Sequence, residues 1–253
     1  MKIYEICFSP TGGTEKVSHI LAGGLGSEPI FVDLSDNAAV SAGVVLTDDD
    51  LAVIAVPSYS GRVPATAAER IASIKANGAK AVIVAVYGNR AYEDTLVELQ
   101  DVAENAGFAV VGAVAAIAEH SIARRYAAGR PDAEDASCLK EFGDKIKAKL
   151  DKGDMSVPAI PGNRPYREVG GKKIVPSAGG KCTNCGLCAA KCPVGAISKD
   201  NAKEVDKAAC ISCMRCVAVC PHNARKINCV LLSAVNLMLR KPCSVRKECE
   251  LYI

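Results

Sequence analysis

The first 150 residues alternate between two apolar rhythms. Continuous, β-branched-rich runs stand at "KIYEICF", "IFVDL", "LAVIAVP", "AKAVIVAVYG" and "FAVVGAVAAIA". Between most of them the apolar residues fall at helical spacing, over 15–25, 65–76 and 92–106. Strands that are apolar at every position belong to a parallel sheet buried on both faces, and the intervening helices supply the crossovers such a sheet needs. Further helical stretches are expected at 121–128 and 133–150. The second opens after "RPDAED", with Pro and acids where a helix N-terminus favours them. The expected fold is α/β, a doubly wound parallel sheet of five strands in the order 2-1-3-4-5.

The rhythm stops after residue 150. Residues 151–180 hold Pro158, Pro161, Pro165 and Pro176 with little periodicity, the pattern of an extended linker or strap. A cysteine-rich domain is expected over 181–228, and a C-terminal helix and tail over 229–253. The longest nearly uncharged apolar runs, "FAVVGAVAAIA" and "CVLLSAVNLML", have 11 residues each. A spanning helix needs about 20, so no membrane segment is expected. The start "MKIYEICFS" is too short and polar for a secretory signal.

Two cysteine runs are nearly superimposable: Cys182, Cys185, Cys188, Cys192, Pro193, and then Cys210, Cys213, Cys216, Cys220, Pro221. Both read C-x2-C-x2-C-x3-C-P, the spacing of bacterial two-cluster ferredoxins, in which the fourth cysteine ligates the other cluster. One 4Fe–4S cluster is therefore expected on Cys182, Cys185, Cys188 and Cys220, and a second on Cys210, Cys213, Cys216 and Cys192. Zinc usually takes paired C-x2-C knuckles, which gives no reason for the third cysteine or the C-P ending. Disulfides would need an oxidising compartment, and a cytoplasmic location is expected instead. Cys7, Cys138, Cys229, Cys243 and Cys249 lack ligand spacing and are given no role.

Thirteen cysteines stand out in an otherwise ordinary composition, 49% hydrophobic and 23% charged. Charge is uneven: residues 151–253 carry 17 Lys and Arg against 8 Asp and Glu, and the first 150 residues are net acidic. A basic half can mark nucleic-acid binding, but no basic–aromatic motif accompanies it, and thiolate-bound clusters bring negative charge for these side chains to offset. No nucleic-acid partner is expected.

The loop "CFSPTGGT" lies between the first strand and the first helix. It is neither a Walker A loop nor G-x-G-x-x-G, so neither a nucleoside triphosphate nor a dinucleotide is expected. It offers the hydroxyls of Ser9, Thr11 and Thr14, and N–H groups freed by Gly12 and Gly13. That set suits a terminal monophosphate on a helix N-terminus.

The loop resembles that of flavodoxins, which hold the phosphate of FMN with a T-x-T-G-x-T segment; Ser9, Thr11, Gly12 and Thr14 match it, with Gly13 between. The loops "PSYSGRVP" (57–64) and "YGNRAY" (87–92) fall where flavodoxins cover the flavin ring. The resemblance implies an FMN site that includes Ser58, Tyr59, Ser60 and Gly61 from the first of these. Tyr87, Gly88, Asn89 and Tyr92 would come from the second. Tyr59 is the candidate stacking partner, with Tyr87 or Tyr92 as another, and Asn89 the candidate for the pyrimidine edge. Arg62, Arg90 and His120 lie near and are given no assigned role. The absence of Trp departs from many flavodoxins. The whole chain resembles the flavodoxin–ferredoxin fusion proteins of anaerobic bacteria and archaea. That likeness implies an FMN and two 4Fe–4S clusters exchanging electrons with each other and with an unidentified redox partner protein. The rival reading is an FMN-dependent reductase of a small molecule, fed by the clusters.

Overall fold

The structure is a computed structural model that describes residues 1–36, 43–170 and 173–253. Five parallel strands form its centre: β1 (Ile3–Cys7), β2 (Ile30–Asp33), β3 (Leu51–Pro57), β4 (Lys80–Tyr87) and β5 (Ala109–Ile117). Their order is β2-β1-β3-β4-β5, as expected, and every neighbouring pair among them is parallel. The helices are α1 (Gly13–Gly23), α2 (Ala65–Ala72), α3 (Thr95–Asn105) and α4 (Ala133–Asp151). On one face Ile6, Ile54 and Ile83 meet Ile71 of α2 and Leu96 and Leu99 of α3. On the other, Val53 and Val84 meet Val17 and Leu21 of α1 and Leu139 and Ile146 of α4. Burial on both faces is why β3, β4 and β5 carry no polar alternation.

The α1–α4 contact is backbone against backbone. A Cβ on Gly143 would stand 2.9 Å from the Cα of Gly24, so the two helices meet through glycine. The start of α4 follows the sequence signal: Asp132 accepts from Glu134 N and Asp135 N, and Asp135 accepts in return from Asp132 N.

Two features depart from the expectation. A sixth strand, β8 (Glu250–Tyr252), pairs antiparallel with β5 and covers that edge of the sheet. Residues 121–128 are a turn-rich loop rather than a helix. The His120 ring accepts from Ile122 N and Ala123 N, and Tyr126 O accepts from His120 N, which folds the segment back on itself.

The segment after α4 is a strap laid on the sheet unit. Asp94 accepts from Asn163 N, Asn163 Nδ2 and Arg167 N. Arg164 pairs with Asp101, and Arg62 stacks on Tyr166 at 4.8 Å. Gly171 and Lys172, within this strap, lie outside the described residues. The cysteine module follows, with β6 (Ser177–Ala178) pairing antiparallel with β7 (Arg225–Lys226) and two short helices, α5 (Leu187–Ala190) and α6 (Arg215–Ala218). A last helix, α7 (Cys229–Leu239), packs Val235 and Leu239 on Ala123 and Cys243. Among the described residues no helix is long and apolar enough to cross a membrane.

Candidate functional site

The eight motif cysteines line two cavities. One, of about 380 Å³, is walled by Cys192, Cys210, Cys213 and Cys216. The other, of about 320 Å³, is walled by Cys182, Cys185, Cys188 and Cys220. Each group of four thus takes three cysteines from one run and its last from the other.

The two runs reach this arrangement with the same backbone. Asn184 and Ser212 have φ of 56° and 57°, Gly186 and Met214 75° and 64°, Gly195 and Asn223 63° and 48°. Such left-handed turns point backbone N–H groups inward. Ala196 N donates to Cys192 Sγ and Ala224 N to Cys220 Sγ, both at 3.3 Å. Donors of this kind suit thiolate sulfur. Burial pushes the free Cys213 thiol up to about 11, against a hydrogen bond from Arg215 N, and the Cys216 thiol up to about 12. A single zinc ion draws its ligands in to about 2.3 Å. Among the described residues no three Cys, His, Asp or Glu groups converge in that way. Thiols spread around the wall of a cavity fit a multi-iron cluster better.

A third cleft, of about 460 Å³, opens at the carboxyl ends of β1, β3, β4 and β5. Thr11, Gly13 and Thr14 line it from the first loop, Ser58 and Tyr59 from the second, and Tyr87 and Gly88 from the third. The crevice beside β1 and β3 is where a sheet of this order places its ligand. Gly12 has a φ of +85° just before α1, and a Cβ on Gly13 would stand 3.1 Å from that of Ala118. The N–H groups of Gly13 and Thr14 open the helix and have no acceptor within it. This combination of small residues, open N–H groups and the Thr14 hydroxyl fits a phosphate.

Several expected residues shape the cleft without lining it. Ser9 is buried; its hydroxyl accepts from Glu15 N and its N–H donates to Ser35. Ser60 and Gly61 form a two-residue turn closed by Tyr59 and Arg62, with φ of 56° and 81°. A Cβ on Gly61 would meet Glu93 and Arg167 of the strap. Asn89 holds the C-terminal tail: its amide donates to Cys243 O and Val245 O and accepts from Lys247 N. Its side chain is committed there and is not directed to a pyrimidine edge. Tyr92 bonds Glu250 and Tyr252 of β8 and packs against the Tyr87 ring at 5.4 Å. Arg62 is taken by Glu98 and Arg90 by Glu93.

His120 does line the cleft. Burial holds its pKa below the ordinary value, and its Nδ1 accepts two backbone N–H groups, so the neutral ring carries its proton on Nε2. Gly88 is small because a Cβ there would stand 2.7 Å from the imidazole. Glu119 and Ser121, which sequence reasoning missed, line the same wall. Their position just beyond β5 was the available signal.

The run that carries Cys210, Cys213 and Cys216 is the one that touches the sheet unit beside the first loop. Burial, and to a smaller degree the charge of Cys213, raise the Tyr59 hydroxyl well above its ordinary value. Arg215, between Met214 and Cys216, reaches the phosphate-type loop at Ser9 O (3.5 Å) and pairs with Asp33 at 3.6 Å. Arg70 donates to Pro193 O, and Ile211 packs on the sheet core. The cavity at Cys182, Cys185, Cys188 and Cys220 faces outward, with Cys185 and Leu187 exposed.

Comparisons with known proteins agree with this geometry. Residues 181–225 match the 4Fe-4S dicluster domain family. A search of curated proteins found no match. Among solved structures, the two-electron reduced flavodoxin of Megasphaera elsdenii is similar at 18% identity and a TM-score of 0.41, over 58% of this chain and 98% of that one. A flavodoxin from the domain Archaea is similar at 11% and 0.42, over 60% and 99%. The flavodoxin of Streptococcus pneumonia TIGR4 is similar at 20% and 0.38, over 58% and 97%. The fold assignment rests on the strand order and register rather than on these distant likenesses. A parallel sheet in the order 2-1-3-4-5 is joined here to a segment that matches the 4Fe–4S dicluster domain family.

Proposed function

We propose that the chain moves electrons between two 4Fe–4S clusters and a bound FMN, and exchanges them with a redox partner protein in the cytoplasm of an anaerobe. The carrying observation is that Arg215, between Cys213 and Cys216, reaches Ser9 O of the loop that opens the cleft at 3.5 Å. Iron–sulfur clusters supply one-electron steps, and FMN accepts one or two electrons.

The chain's own part is binding, placement and exclusion of water. Cys182, Cys185, Cys188 and Cys220 would hold the outer cluster, and Cys210, Cys213, Cys216 and Cys192 the inner one. Thr11, Gly12, Gly13 and Thr14 would hold the FMN phosphate, with Ser9 fixing the loop. Ser58, Tyr59, Tyr87 and Gly88 would face the ring. Ser60, Gly61, Asn89 and Tyr92 would set the shape of that wall from behind. Arg215 ties the inner cysteine run to the phosphate loop. Residues 1–150 form the flavodoxin-like unit, 151–180 the strap and 181–228 the cluster domain, followed by the helix and tail of 229–253.

The test is anaerobic iron, sulfide and flavin analysis, with about eight irons and one FMN per chain expected. About four irons, or zinc in their place, overturns the two-cluster reading. Cys192→Ser should disturb the paramagnetic signal of the inner cluster; loss of the outer signal instead overturns the crossed assignment.

His120 favours a second reading, a small-molecule reductase, because its Nε2 proton belongs to a neutral imidazole in the cleft wall. Turnover of an added acceptor that His120→Gln abolishes, with flavin content unchanged, would decide for the enzyme.

A further inference from the structure

The two cysteine runs share backbone turns and N–H···S bonds, and then diverge at one buried position. After Ala196 comes Ile197; after Ala224, at the matching place, comes Arg225. Both are buried, at 5% and 3% exposure. An arginine this deep is rare without a charged partner. Its Nη1 donates to Pro176 O at 3.1 Å and its Nη2 to Ala202 O, both neutral carbonyls. Its Nε has no acceptor among the described residues. The side chain lines both cysteine cavities, the one at Cys192, Cys210, Cys213 and Cys216 and the one at Cys182, Cys185, Cys188 and Cys220.

A buried guanidinium cannot shed its proton, and leaving it without an opposing charge is costly. Four thiolates around a 4Fe–4S core bring net negative charge, and each electron added brings one more. We propose that Arg225 is the shared countercharge of the two clusters, holding both reduction potentials up from a single position between them. The inference rests on the two-cluster reading above. The carbonyl bonds fix the guanidinium in place, and burial removes it from salt screening.

The test is a redox titration of the holoprotein, followed by paramagnetic resonance, with iron, sulfide and FMN measured on each sample. Arg225→Ile copies the residue that the first run places here. It should move both cluster midpoints to lower potential, each by at least the 59 mV that a tenfold change means for a one-electron couple. The shift should persist at high salt. Arg225→Lys keeps the charge and should shift both less. Unchanged midpoints in an iron-replete Arg225→Ile protein overturn the proposal. Should that variant fail to take up iron, Arg225→Gln provides the neutral comparison with the same two expected and excluded results. If both neutral variants stay empty while Arg225→Lys loads, the need for a charge is upheld. If Arg225→Lys is empty as well, Arg225 is a structural tie and the proposal falls. Failure of the two-cluster reading itself would be seen earlier, as a low iron count in the wild-type protein.

Discussion

In the sheet unit, Val53, Ile54, Ile83 and Val84 vanish from solvent between four helices. In the cysteine module the comparable interior is Cys188, Ala189, Ile197 and Ala202. The first region has ample apolar side chain to hold itself together. The second has mostly backbone turns, thiols and small residues, too little for a stable core of its own. The sheet is held by packing, whereas the module has the walls of two cysteine-lined cavities at its centre. The difference leads to the expectation that metal and fold are separable in the sheet unit and coupled in the cysteine module.

Iron removal should break the comparison most visibly. Anaerobic chelation should abolish amide-exchange protection over 181–226 while strands β1 to β5 keep theirs. Equal loss in both regions would mean that the sheet leans on the module for its stability.

The next largest effect lies in the sheet unit, at a buried ion pair. Arg130 Nε meets Asp135 at 2.8 Å, the two side chains are 5% and 1% exposed, and Arg130 Nη1 also donates to Lys247 O. Arg130→Met strands the carboxylate and should cost about 3–5 kcal/mol in urea unfolding of the sheet, with iron content unchanged. A loss below about 1 kcal/mol would show that water or Arg246 takes over the pairing.

The smallest expected effect concerns the strap between the two regions. Burial works against charge on Asp94, but the donors from Arg167 and Asn163 outweigh it and hold its carboxyl below the ordinary value. A carboxyl held low stabilises the folded arrangement above the unfolded value of about 3.9, and that contribution is lost as pH falls through the folded value. Exchange at 160–168 should therefore quicken in acid below about pH 4. Asp94→Asn should quicken it already at neutral pH, by roughly 1 kcal/mol of lost protection, and flatten the acid step. An acid step of unchanged size in the variant would assign it to another group.

Much of this was legible in the sequence, for physical reasons. Strands buried on both faces print unbroken apolar runs, and cluster ligands print fixed cysteine spacing. Thr11, Thr14, Tyr59, Tyr87 and Gly88 were expected at the cleft from their place at or near strand ends, and they line it. Asn89 and Tyr92 sit there too, yet they serve the tail, because "ELY" is too short to announce a strand that competes for them. The loop at 121–128 has helical spacing, but the segment turns back so that Tyr126 O accepts from His120 N, a closure that a helix does not make. Arg225 had a signal that a comparison of the two cysteine runs carries, a charge standing where the twin position holds isoleucine.

The strand at Glu250–Tyr252 has a consequence for synthesis. Tyr92 and Glu250 bond each other across 158 positions of chain, and the cysteine module lies between them. On the ribosome, β5 must wait with an open edge until the whole module has emerged. An open edge is a template for pairing with other chains. A chain interrupted within or just after the module therefore keeps this strand edge open, while a chain that includes Glu250–Tyr252 covers it. Pairing at this edge thus follows, during translation, the synthesis of the whole cysteine module.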